Sequence, residues 1–134
     1  SIIDEYGSTK GGSLANFYAG NIYLRQGEYK KAIEHLSAYK GEDKILAQQT
    51  KALIGDAYVE LGQLDKAISN YKDAAKSNNV MTTPFILLKL GQVYEMQKNN
   101  AEALNCYKRI KTEFPASQEY RDIEKYISRL ENLQ

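Results

Sequence analysis

Three stretches of this chain, AGNIYLRQGEYKKAIEHL, IGDAYVELGQLDKAISNY and LGQVYEMQKNNAEALNCY, carry one pattern. Each has a glycine, a tyrosine three residues on, and an alanine twelve residues after the glycine: Gly20, Tyr23 and Ala32; Gly55, Tyr58 and Ala67; Gly91, Tyr94 and Ala103. Successive glycines lie 35 and 36 residues apart. A fixed period of this length confines the chain to a repeat architecture, because each unit buries its apolar face only by stacking on the next. A chain of 134 residues with 43% hydrophobic residues has room for three such units and a core to hold them.

Local signals make each unit a pair of helices. Gly27 and Gly62 fall between the two halves of their units, where a left-handed residue ends a helix at little cost. Lys98 stands in that place in the third unit, so KNN must make the turn, and asparagine tolerates the left-handed region better than most residues. Thr83 and Pro84 predict an N-cap followed by a first-turn proline, Gly41 a helix stop, and Ser117 the cap of one more helix. That last helix, SQEYRDIEKYISRLENL, spaces Tyr120, Ile123, Ile127 and Leu130 along one face.

The spacing and the small residues resemble the tetratricopeptide repeat family, whose period is about 34 residues. The resemblance implies an all-α fold, a right-handed α-α solenoid of three helix-turn-helix repeats closed by a C-terminal capping helix. The layout it implies is a preceding repeat's tail at residues 1–8, repeats at 9–41, 42–79 and 80–116, and the capping helix at 117–134. Residues 1–8 enter because SIIDEYGST aligns with RIKTEFPAS at the end of the third repeat; the expectation is a piece of a longer protein. In the family pattern Gly20 and Ala32 mark a close helix crossing, Tyr23, Tyr58 and Tyr94 fill the space beside it, and Leu36, Tyr71 and Tyr107 plug the gap toward the next repeat.

Charge and composition exclude several functions. Eighteen Lys and Arg against seventeen Asp and Glu leave a net charge of +1, no excess to condense on phosphate, so nucleic acid is not the expected partner. The longest apolar runs fall far short of the roughly 20 residues that span a bilayer. With one cysteine, Cys106, and one histidine, His35, no internal disulfide and no metal site of the usual His and Cys ligands can form, and no cofactor is expected. His35 and Cys106 occupy equivalent places in the first and third repeats, which stacking would hold apart. No phosphate loop or nucleophile elbow occurs, so neither an enzyme nor a small-molecule substrate is expected. Charged runs such as GEYKKAIEH are solvated helix faces with i to i+4 pairs.

A binding module remains. The first helix of each repeat lines the concave face of such an array, and the family's concave positions fall on Leu14, Phe17, Asn21, Leu24 and Arg25. In the second repeat they fall on Gln49, Ala52, Asp56, Val59 and Glu60, and in the third on Phe85, Leu88, Gln92, Glu95 and Met96. The peptide-binding set is therefore Asn21, Leu24, Arg25, Gln49, Asp56, Glu60, Phe85, Leu88, Lys89, Gln92, Glu95 and Met96. Leu14, Phe17 and Phe85 have the alternative of packing on a neighbouring helix. The family's clamp for a C-terminal carboxylate matches poorly: Asn21 fits and Lys89 substitutes for an arginine, but Phe17, Leu53 and Phe85 lack the polar groups. The lining favours extended or helical segments with apolar side chains and a basic residue for Asp56 and Glu60.

The stretch DEYGSTKGGSLANFYAGNIYLRQGEYKKAI also resembles membrane-anchored bacterial tetratricopeptide proteins related to the ancillary subunit of the Sec translocon. That resemblance implies a scaffold on the periplasmic side of the inner membrane, held by an anchor upstream of this sequence, near secretion and chaperone machinery; a cytoplasmic place is the alternative. Two readings follow. One is a non-catalytic scaffold binding a protein or peptide on its concave face; the other is a structural or oligomerisation domain, a homodimer through Leu14, Phe17 and Tyr18.

Overall fold

A computed structural model describes Lys10 to Leu133, with side chains from Ser13 onward; the expected tail at residues 1–8 lies outside the described residues. Those residues form seven α-helices and no strand: α1 (Lys10–Arg25), α2 (Tyr29–Ser37), α3 (Lys44–Glu60), α4 (Leu64–Ala75), α5 (Thr83–Met96), α6 (Asn100–Glu113) and α7 (Tyr120–Glu131). They group into two compact units, one up to Ala74 and one from Ala75 onward.

The turn inside each hairpin has one geometry. Gly27 and Gly62 adopt φ of +78° and +75°, and Lys98 adopts +60°. In each, the next residue's N–H returns to the carbonyl of the repeat tyrosine: Glu28 to Tyr23 at 2.9 Å, Gln63 to Tyr58 at 2.9 Å, and Asn99 to Tyr94 at 2.8 Å. This six-to-one bond satisfies a carbonyl that the helix end would otherwise leave open. The left-handed residue of the third turn is thus Lys98 itself and not an asparagine. Asn99 follows it as N-cap of α6, its side chain accepting from the Glu102 N–H at 3.3 Å.

Other boundaries fall near the predicted places for different reasons. Asp43 caps α3, accepting from the N–H groups of Ile45 and Leu46 at 2.9 and 3.0 Å. Gly41 stops no helix, since α2 ends at Ser37 and Gly41 lies in the connection beyond. Thr83 is the first residue of α5 rather than its cap; its hydroxyl is fully buried, accepts from the Asn79 N–H at 2.9 Å and donates to the Ser77 carbonyl. Ser117 lies three residues ahead of α7, its hydroxyl accepting from the Tyr120 N–H at 3.2 Å and donating to the Phe114 carbonyl at 2.7 Å, while the cap position itself is Glu119, which makes no side-chain cap bond.

In the first unit Phe17, Ala32, Leu36 and Ile54 form a buried cluster, with Tyr23, Leu24, Ile33, Tyr39, Leu46, Leu53 and Tyr58 packed around it. A Cβ on Gly20 would lie 2.5 Å from Cγ of Leu36, and one on Gly55 would lie 2.7 Å from Cε1 of Tyr71. Leu36 and Tyr71 therefore sit against the glycine of their own hairpin, and Leu36 also shares its buried cluster with Ile54 of α3, the first helix of the next repeat. Two buried polar side chains satisfy backbone groups at or beyond helix ends: Ser13 Oγ accepts from the Lys40 N–H at 2.6 Å, and Gln48 Nε2 donates to the Ala74 carbonyl at 3.0 Å.

The second unit repeats the crossing, with the Tyr107 ring against Gly91. Its α7 packs on α6 and buries Ile123, Ile127 and Leu130. Tyr120, expected on that face, is 38% exposed because it opens the helix. Ion pairs Lys108–Glu131 at 3.5 Å and Lys111–Glu124 join the two helices at their surface.

Candidate functional site

In the first unit α1, which carries Asn21, Leu24 and Arg25, and α3, which carries Gln49, Asp56 and Glu60, touch directly. Arg25, Gln49 and Glu60 are exposed and Asn21 is half-buried. Leu24 packs on the core cluster, so part of its surface is taken by the fold. Phe17 is 6% exposed, with its ring edge-on to Tyr18 and tilted against Tyr39, which settles it as a packing residue.

Asp56 is engaged within its own hairpin: its carboxylate accepts from the Tyr71 hydroxyl. Burial first, then the hydrogen bond to Asp56 and the charges of Asp56 and Glu60, hold the Tyr71 phenol well above its ordinary range. The second unit has the same device one helical turn along, where Glu95 accepts from the Tyr107 hydroxyl. Burial and Glu95 again raise the phenol, with Arg129 opposing. Arg129 Nη2 also reaches both Glu95 oxygens at 2.9 Å. Gln92, Glu95, Tyr107, Tyr126 and Arg129 thus surround one small depression at the junction of α5, α6 and α7.

The remaining residues of the second unit share a face of α5. Phe85, Lys89, Gln92 and Met96 recur at i, i+4, i+7 and i+11, the spacing of one helical stripe. Phe85 is 49% and Met96 57% exposed, Gln92 is exposed, and Lys89 and Leu88 are half-buried. Lys89 Nζ lies 4.5 Å from the centre of the Phe85 ring, within cation–π range.

The structure gives His35 and Cys106 separate settings. His35 donates from Nδ1 to Asn16 Oδ1 at 3.0 Å and stacks on Tyr23 with ring centres 5.2 Å apart. Cys106 is a buried thiol on α6. Among the described residues no group of three or more His, Cys, Asp or Glu is placed to hold a metal ion, and no helix is long and apolar enough to cross a membrane.

With helical hairpins repeating at 35 and 36 residues, the comparison with known families is decisive: the sequence model described as Tetratricopeptide repeat matches residues 8–44 and 53–117. The chain belongs to the tetratricopeptide repeat family. No curated protein matches it. Tetratricopeptide repeats are, as a class, non-catalytic scaffolds that mediate protein–protein interaction. The phenol–carboxylate pairs of this tetratricopeptide chain were within reach of the sequence: Tyr71 and Tyr107 each stand sixteen residues after the repeat glycine. Arg129 was not, because α7 has no counterpart whose register fixes where its side chains fall.

Proposed function

We propose that this protein binds a protein segment on the exposed stripe of α5, and that the first unit, taken by itself, offers Asn21, Arg25, Gln49 and Glu60 as polar contacts for a partner. The observation that carries the reading is the pair Phe85 and Met96, two large apolar side chains about half exposed at either end of one helix face. Eleven residues of α-helix separate them by roughly 16 Å. A partner presenting apolar side chains at that spacing, on three turns of helix or about five residues of extended chain, would cover both. Asp56 and Glu95 enter as fixed acceptors already engaged by tyrosine, so Glu60 is the better site for a basic residue of the partner.

Site-specific photo-cross-linking tests this in cells producing the full-length protein. A photoreactive phenylalanine analogue is placed at Phe85, at Met96, or at exposed Asn105 on α6. A shared partner captured from the first two positions, absent from the third and lost in Phe85→Glu supports the reading; equal capture from all three overturns it. The likeness of the first repeat to membrane-anchored relatives of the Sec ancillary subunit supports a place on the periplasmic side of the inner membrane, which fractionation of the same cells checks.

A second reading has its own observation. Tyr18 and Ile22 on α1 are 57% and 53% exposed, whereas Ala57, the residue 35 positions after Ile22, is fully buried. This contrast supports self-association through α1. Sedimentation that depends on concentration in the wild type and not in Ile22→Glu would favour it; Phe17 lies in the core and cannot serve as the probe.

A further inference from the structure

We infer that the second unit carries another docking surface, separate from the α5 stripe, for a short segment that combines an aliphatic side chain with a lysine or arginine. It lies where the connection before α5 meets the connection before α7, a groove of about 360 Å³ whose walls include Val80, Met81, Phe114, Pro115 and Ala116. Val80 and Met81 are 70% and 80% exposed, and they stand side by side.

The segment that displays them is tied down by polar contacts. The Asn79 side chain accepts from the N–H groups of Met81 and Thr82 at 2.9 and 3.0 Å, and the buried Thr83 hydroxyl bridges Asn79 and Ser77. From the other side Arg109 donates to the Ala75 carbonyl at 3.0 Å and to Asn78 Oδ1 at 2.7 Å. Two exposed apolar side chains on a pinned backbone are pre-organised for contact, which lowers the ordering cost of binding.

Charge selects the occupant. The groove's ionisable lining is acidic only, Glu113 and Glu119, with no lysine or arginine among the residues that line it. Glu113 ends α6, where a negative charge opposes the helix dipole, and Arg109 Nε holds it at 3.1 Å. Glu119 has no ion-pair partner among the described residues. An apolar floor with an acidic rim complements an apolar segment bearing a cation.

The chain has only two methionines, and each marks one of the two surfaces: Met81 the groove and Met96 the α5 stripe. Methyl NMR of the full chain therefore separates them. The probes are the blocked pentapeptides Gly-Leu-Lys-Leu-Gly and Gly-Leu-Glu-Leu-Gly, titrated at low salt, where an exposed charge pair is least screened. We expect the lysine peptide to move the Met81 methyl and to bind about three- to fivefold tighter than the glutamate peptide. Glu119→Gln should abolish that preference and Glu119→Lys reverse it. A Met81 methyl that stays fixed, that responds equally to both peptides, or whose preference survives Glu119→Lys overturns the proposal. A shift confined to Met96 also overturns it while leaving the α5 reading standing.

Discussion

Two glycines of this chain do different work, and substitution separates them. At Gly91 a Cβ would enter the Tyr107 ring, so Gly91→Ala forces an overpacked crossing and should cost about 1–3 kcal/mol. At Gly62 nothing lies within 4 Å of an added Cβ, but φ is +75°, so Gly62→Ala should cost about 1 kcal/mol through backbone strain alone. Denaturant midpoints check both, and adding Tyr107→Leu should relieve the first penalty but leave the second. The glycines were legible from their period. Their partners were legible in part: Leu36, Tyr71 and Tyr107 each close on the glycine of their own hairpin, which the spacing did not show, while Leu36 and Tyr107 also meet Ile54 and Tyr126 of the next helix.

At the scale of the element, the hairpin turns show how a fixed geometry tolerates a poor residue. Lys98 takes the left-handed conformation that Gly27 and Gly62 supply elsewhere, with the same return bond to the repeat tyrosine. Lys98→Gly should therefore stabilise the protein by about 1 kcal/mol, read as a higher thermal midpoint with an unchanged helical spectrum. KNN pointed to asparagine because propensity is a property of a residue, whereas the turn's position is set by where α5 runs out. The same limit moved the start of α5: Thr83 looks like a cap in sequence, yet its hydroxyl serves the preceding connection from inside the helix. Apolar period, by contrast, placed Ile123, Ile127 and Leu130 of α7 correctly, since burial follows directly from it.

For the molecule as a whole, both units hold tyrosine hydroxyls in a protonated state. Burial, reinforced at Tyr71 and Tyr107 by a carboxylate acceptor, raises the phenols of Tyr71, Tyr94 and Tyr107 above the ordinary 10.0. The folded protein then keeps protons that the unfolded chain releases. Stability from these groups is complete below about pH 10 and is lost as the pH climbs beyond it. Tyr107→Phe should cost about 1.5–3 kcal/mol at neutral pH, the worth of a hydrogen bond to a charged group, and should lose stability less steeply through the alkaline range. Denaturant titrations at successive pH values check both, and equal slopes for the two proteins would reject the assignment. The candidate face was legible only by analogy of position. Arg25, Gln49, Glu60, Phe85, Gln92 and Met96 are exposed, but Leu24, Asp56 and Glu95 are partly engaged by the fold itself, through contacts between helices that a one-dimensional period does not encode.

Those two phenol–carboxylate pairs also give the protein an optical signature of its own. The chain has eleven tyrosines and no tryptophan, so its ultraviolet emission is tyrosine emission, unmasked by indole. A phenol that donates to a carboxylate transfers its proton readily in the excited state and emits weakly. A partner that draws Asp56 or Glu95 away would brighten Tyr71 or Tyr107, so recruitment at either carboxylate can be followed by light without attaching a dye.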